Sequence, residues 1–198
     1  MTIGTLVRRL AVPLALLATV AAGAGQAAAA PKASCPARTV VTPFKPWNDT
    51  GQYFLAPNGG FEAGASSWTL KGGASVVSGN ESSYLNSRSD TKSLKLPANA
   101  SAMTTAICTN PNDQTIRLMV LGTSGQLKVD AKIISGGNIR TWSTQVDAKA
   151  GSSWRPSQVI QFALGNQYLG DTTVQLTFTA LSSTWQIDDL YIDPFKGY

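Results

Sequence analysis

The chain has 198 residues, two cysteines, no histidine and a formal net charge of +5. Without histidine there is no Ser-His-Asp triad, no Cys-His pair and no histidine-ligated zinc, and two cysteines cannot make a four-cysteine metal site. Only 14% of the residues are charged, a balance foreign to helical bundles and common in exported all-β domains.

The N-terminus opens with Arg8 and Arg9, continues as an apolar run over 10–20, and carries small residues through Ala30. That order predicts a signal peptide over residues 1–30 and a secreted, extracellular product. The run is too short to cross a hydrocarbon layer of ~30 Å, and no later stretch is as apolar, so no membrane span is expected. Two of the sixteen basic residues and none of the eleven acidic ones fall in that segment, which leaves +3 on a chain with no basic stripe. Nucleic acid is therefore not an expected partner. Export favours a disulfide between Cys35 and Cys108, each the sole candidate for the other. Residues 31–56, with Pro43 and Pro46, read as an N-terminal arm stapled by that bond to a single domain over 57–198.

The domain alternates apolar and polar residues almost throughout. Leu127, Val129, Ala131 and Ile133 share one parity; so do Val174, Leu176, Phe178 and Ala180. Strands are expected over 67–71, 74–78, 92–96, 102–107, 115–121, 127–133, 140–146, 157–164, 174–180 and 184–192, separated by Gly-, Asn- and Pro-rich turns. About ten short strands at this spacing predict an all-β fold, a two-sheet antiparallel β-sandwich. The last strand carries an irregularity. Trp185 and Ile187 have one parity, Leu190 and Ile192 the other, so a bulge is expected at Asp188-Asp189. Two adjacent carboxylates in an apolar strand need a cation or backbone N–H groups as compensation.

The segment Asn58-Gly59-Gly60-Phe61-Glu62-Ala63-Gly64, followed by Trp68, resembles the opening of carbohydrate-binding modules with a galactose-binding-like jelly-roll fold. The closing strand Trp185-Gln186-Ile187-Asp188-Asp189-Leu190 and the stretch Trp154-Arg155-Pro156-Ser157 are similar to the ends of the same modules. The whole chain, with Phe44-Lys45-Pro46-Trp47, also resembles small exported actinobacterial proteins. The resemblance implies a jelly roll that binds a polysaccharide or cell-surface glycan. It also implies a structural calcium ion, carried by position to Glu62 with Asp188 or Asp189. The alternative, that these carboxylates only cap turns, stays open.

Sugar recognition needs an aromatic face for the pyranose C–H groups and planar polar groups for the hydroxyls. Trp68 and Trp185 read as core. Trp142, in the polar strand Arg140-Thr141-Trp142-Ser143-Thr144, reads as the exposed aromatic. Trp154, Tyr84 and Trp47 are further platforms, and Arg140, Asn86, Asn80, Glu81 and Arg88 offer the polar chemistry. The candidate ligand set is Trp142, Trp154, Tyr84, Arg140 and Asn86. No serine sits in a nucleophile setting, since Gly122-Thr123-Ser124-Gly125 is a turn between strands. The expectation is a monomeric, non-catalytic binding domain; its rival is a structural or protein-interaction role at the cell surface.

Overall fold

A computed structural model describes residue 1 and residues 35–110, 113–149, 153–162 and 172–194. The expected signal peptide lies outside the described residues. The chain divides into two units, 1–32 and 33–198, and every element below belongs to the second. Among the described residues no helix is long and apolar enough to cross a membrane.

Among the described residues thirteen strands form two antiparallel sheets. In sheet I the order is β10 (Arg155–Pro156), β7 (Thr115–Gly122), β13 (Trp185–Asp193), β4 (Lys92–Leu96) and β3 (Ser75–Ser78). There β1 (Phe54–Leu55) also pairs with β13, and β11 (Ile160–Gln161) with β7. In sheet II the order is β2 (Trp68–Lys71), β5 (Ser101–Thr104), β12 (Thr172–Ala180), β8 (Gln126–Ser135) and β9 (Asn138–Asp147), with β6 (Ile107–Thr109) also on β12. The chain crosses repeatedly from one sheet to the other, as in a jelly roll. The fold is the expected two-sheet β-sandwich.

Period-2 patterning explains the core. Val174, Leu176, Phe178 and Ala180 of β12 stand opposite Ile133, Ala131, Val129 and Leu127 of β8, so both apolar faces point the same way and all eight are buried. They meet Ile116, Leu118, Val120, Leu94, Leu96, Trp185 and Ile187 of sheet I in one continuous cluster. Trp185 pairs with Gly122, and a Cβ on Gly122 would sit 2.6 Å from the indole. The glycine exists to let that ring lie flat on β7.

The expected strand over 102–107 is interrupted. Met103 stands opposite Thr177 and Ile107 opposite Val174, so one extra residue sits on the β5–β6 side. The Thr104 hydroxyl fills the gap by accepting from Leu176 N–H at 3.0 Å, a side chain replacing a ladder bond. The bulge in β13 falls where parity places it: Asp188 is opposite Met119 and Tyr191 opposite Arg117, with Asp189 at φ 47°. Leu190 and Ile192 thereby return to the core while Tyr191 turns to the outer face.

The arm covers that outer face. Phe44 and Tyr53 pack with Met119 and Tyr191 in a second apolar cluster, with Phe44 edge-on to Tyr53 at 5.1 Å and to Tyr191 at 5.8 Å. The Cys35–Cys108 disulfide is formed. Beside it Arg38 pairs with Asp113 at 2.6 Å and stacks over Phe54 at 4.2 Å.

Candidate functional site: a groove under the arm and a buried acidic cluster

The arm forms one 3₁₀ turn, Lys45–Trp47, with a proline in its first positions and Asn48 at φ 60° reversing the chain behind it. Asp49 then accepts from Gly51 N–H at 2.9 Å and from the Tyr53 hydroxyl at 2.7 Å. Arg117 of β7 ties this loop to sheet I. It donates to Asp49 at 2.5 Å and to the Ser157 carbonyl at 3.0 Å, and its guanidinium lies 4.8 Å over the Phe44 ring. Burial alone would raise the Asp49 carboxyl, but the hydrogen bonds from Tyr53, Gly51 and Arg117 outweigh it and hold it below the usual carboxylate range.

Beside this turn lies a groove of about 530 Å³, lined by Trp47, Arg117, Asp147, Lys149, Arg155, Pro156, Ser157 and Gln158. Its size suits a small ligand or a few sugar units. Arg155 donates to the Asp147 carbonyl at 2.8 Å and Gln158 to the Gln145 carbonyl at 3.1 Å. The Asp147 carboxylate accepts from Gln126 at 2.8 Å. Burial lowers the pKa of Arg155, and among the described residues neither Arg155 nor Lys149 makes an ion pair.

A second feature sits beside the β13 bulge. Glu81, Asp188 and Asp189 are fully buried and Asp90 nearly so, yet none of them pairs with a basic side chain among the described residues. Backbone N–H groups compensate in part. Glu81 accepts from Ser83 and Leu85, Asp188 from Glu81 and Asp189, and Asp189 from Asn86. One oxygen, Asp189 Oδ1, is buried with no partner. Burial, and then the neighbouring carboxylates, push the acids of Asp188 and Asp189 well above the ordinary range. The opening motif explains itself here. A Cβ on Gly59 would meet the Leu190 carbonyl at 2.7 Å, and one on Gly60 would meet Asp189 Oδ1 at 3.0 Å, close to Asn86 and Asp90. The two glycines admit the bulge and its acids. Among the described residues no three carboxylate, cysteine or histidine side chains converge tightly enough to hold a metal by themselves.

The residues singled out by sequence lie in different places. Asp188 and Asp189 belong to the acidic cluster. The Glu62 carboxylate accepts from the N–H groups of Thr91 and Lys92 at 2.8 and 2.7 Å and is near enough to Asp189 to help raise its acid. Trp142 is half-buried against the main core. It stands opposite Ala131 and so on the inner face of sheet II, not in open solvent as its polar strand suggests. Arg140, two residues nearer the hairpin tip, is exposed on the same face. Tyr84 is 48% exposed on the loop over the acidic cluster, where Asn86 donates to Asp90 at 2.7 Å. Trp154 packs on the second apolar cluster, next to the groove residue Arg155. Glu81, read as a sugar ligand, is buried beneath its loop. Sequence reasoning missed Arg117, Asp147, Lys149, Arg155 and Gln158 as site residues and placed Trp47 only among lesser candidates. The signal available was the aromatic, proline-bearing turn Phe44-Lys45-Pro46-Trp47 in an otherwise polar arm.

No family model matches the chain, and no curated protein matches it. Among solved structures it is similar to the enzymatically active domain of bacteriophage CBA120 tailspike protein 4, at 12% identity and a TM-score of 0.50, over 70% of this chain and 21% of that one. It is also similar to a family 61 carbohydrate-binding module in complex with β-1,4-galactotriose, at 21% identity and a TM-score of 0.45, covering 71% of this chain and 97% of that one. A family 11 carbohydrate-binding module of Clostridium thermocellum gives 10% identity and a TM-score of 0.46, over 74% and 96%. Likeness at these identities concerns the fold alone.

Proposed function

We propose that the chain is a secreted, non-catalytic domain that binds a glycan in the groove under its arm. The observation that carries this reading is the grouping of Trp47 with the planar hydrogen-bonding side chains Arg155, Gln158 and Asp147 around one cavity. An indole offers an apolar face to pyranose C–H groups, and the planar groups offer paired donors and acceptors to vicinal hydroxyls. Asp147 is the one carboxylate among the described lining residues, whereas glycosidic cleavage uses a pair. That supports binding without turnover. The disulfide and the absence of an apolar spanning helix among the described residues fit an extracellular site of action.

We further propose that calcium occupies the acidic cluster. Four buried carboxylates without a basic partner among the described residues, one with an orphaned oxygen, are the hard-oxygen environment this ion suits. Asp189 and Asp90 would hold it, with backbone carbonyls and water completing six to eight oxygens. The ion would supply charge compensation at the bulge, which seats the 79–91 loop against β13.

Affinity electrophoresis through gels containing a panel of soluble polysaccharides tests the binding reading. Retardation by at least one, reduced about tenfold in affinity in folded Trp47→Ala, is expected. Uniform non-retardation of folded protein contradicts it and favours a protein-interaction role.

A further inference from the structure

The groove carries an unbalanced charge. Of its three lining cations, Arg117 is neutralised by Asp49, while Lys149 and Arg155 have no ion-pair partner among the described residues. The one lining anion, Asp147, turns a carboxylate oxygen to Gln126 and offers Arg155 only its backbone carbonyl. Arg155 is half-buried, so its charge is partly stripped of water, and among the described residues one of its five N–H donors is engaged. A partly desolvated guanidinium with spare donors is a costly arrangement unless an anion completes it.

We propose that the groove selects glycans bearing an oxyanion, with Arg155 gripping that group through its planar fork, Lys149 adding charge at the rim and Trp47 carrying the sugar ring. This rests on the glycan reading above and narrows it to acidic sugars. The guanidinium fork matches two oxygens of a carboxylate or of a sulfate or phosphate ester, which a lysine ammonium cannot do. Gln158, on the same wall, is left for a neighbouring hydroxyl. Neutral chains would leave both cations unmatched and so bind more weakly.

The test is isothermal titration of the intact folded protein with three probes of matched length: oligogalacturonate, neutral oligogalactoside and a sulfated oligogalactoside, each at 50 and 300 mM NaCl. At least about tenfold tighter binding of an anionic probe than of the neutral one is expected. Arg155→Gln should abolish that preference by weakening the anionic probe far more than the neutral one, while Arg155→Lys should restore only part of it. Comparison of the carboxylate and sulfate arms identifies which oxyanion is taken. Salt dependence in the unmodified protein gives a reading that needs no variant to fold: anionic binding should weaken with salt while neutral binding should not. Equal or tighter binding of the neutral oligosaccharide overturns the charge proposal and leaves the glycan reading standing. Anionic preference that survives Arg155→Gln unchanged also overturns it, since the attraction is then diffuse. Binding of no probe at either salt overturns both.

Discussion

Asp49 shows how one side chain can hold a wall of the groove in place. It accepts three hydrogen bonds, one of them from Arg117, which in turn anchors the arm over β7. Because its native pKa is lowered, the stability it contributes is complete above the ordinary carboxylate value near 3.8 and is lost as pH falls through the native value. Asp49→Asn should therefore cost about 1–3 kcal/mol at pH 6 and less at pH 2. Urea denaturation at both pH values checks this; an equal difference at both would remove the carboxylate from the account. Gly122 makes the opposite kind of contribution, by what it lacks. Gly122→Ala drives a methyl into the Trp185 ring, and thermal unfolding should register about 1–3 kcal/mol of overpacking.

The strands of this domain are legible in sequence because each has one wet face and one buried face. The β13 bulge is legible for the same reason, since Trp185 and Ile187 disagree in parity with Leu190 and Ile192, and only an added residue reconciles them. Trp142 misleads because its inner-face neighbours Arg140 and Thr144 are polar. On an edge strand, burial falls from Val146 through Trp142 to Arg140 as the hairpin leaves the sandwich, and no local pattern encodes that gradient. The groove is illegible for a different reason. Trp47 and Arg155 are far apart in sequence and meet only because the arm folds across the outer face of sheet I, a tertiary event signalled by Phe44 and Tyr53 rather than by any periodicity. The staple that holds the arm closes a loop of 73 residues, worth about 4 kcal/mol in the chain-entropy model. The double variant Cys35→Ser, Cys108→Ser should lose stability of that order and glycan affinity with it. Retained affinity in the reduced form, measured by the same gel retardation, would mean that the arm does not build the site.

At the scale of the whole molecule, the bare charge count of the sequence resolves into two opposite local imbalances. The acidic cluster at the bulge collects Glu81, Asp90, Asp188 and Asp189 without a basic partner, and the groove keeps Arg155 and Lys149 without an acidic one among the described residues. In the proposed reading a cation that stabilises the fold meets the first, and an anionic ligand meets the second. A ligand bound only by the native state raises the melting temperature, by roughly 5–10 °C for calcium at a hundredfold excess over its Kd. Excess EDTA should lower the melting temperature and calcium restore it; an unchanged value in EDTA contradicts the calcium assignment and leaves the N–H groups of the 81–86 loop as the sole compensation. The most direct test of the central claim, that the glycan site is the groove under the arm, is ¹⁵N chemical-shift mapping of the folded domain titrated with an oligosaccharide that retards it in gels. The account predicts perturbations concentrated at Trp47, Arg117, residues 147–149 and residues 155–158. Perturbations centred instead on Arg140 and Trp142, or on Tyr84 and its loop, would contradict it.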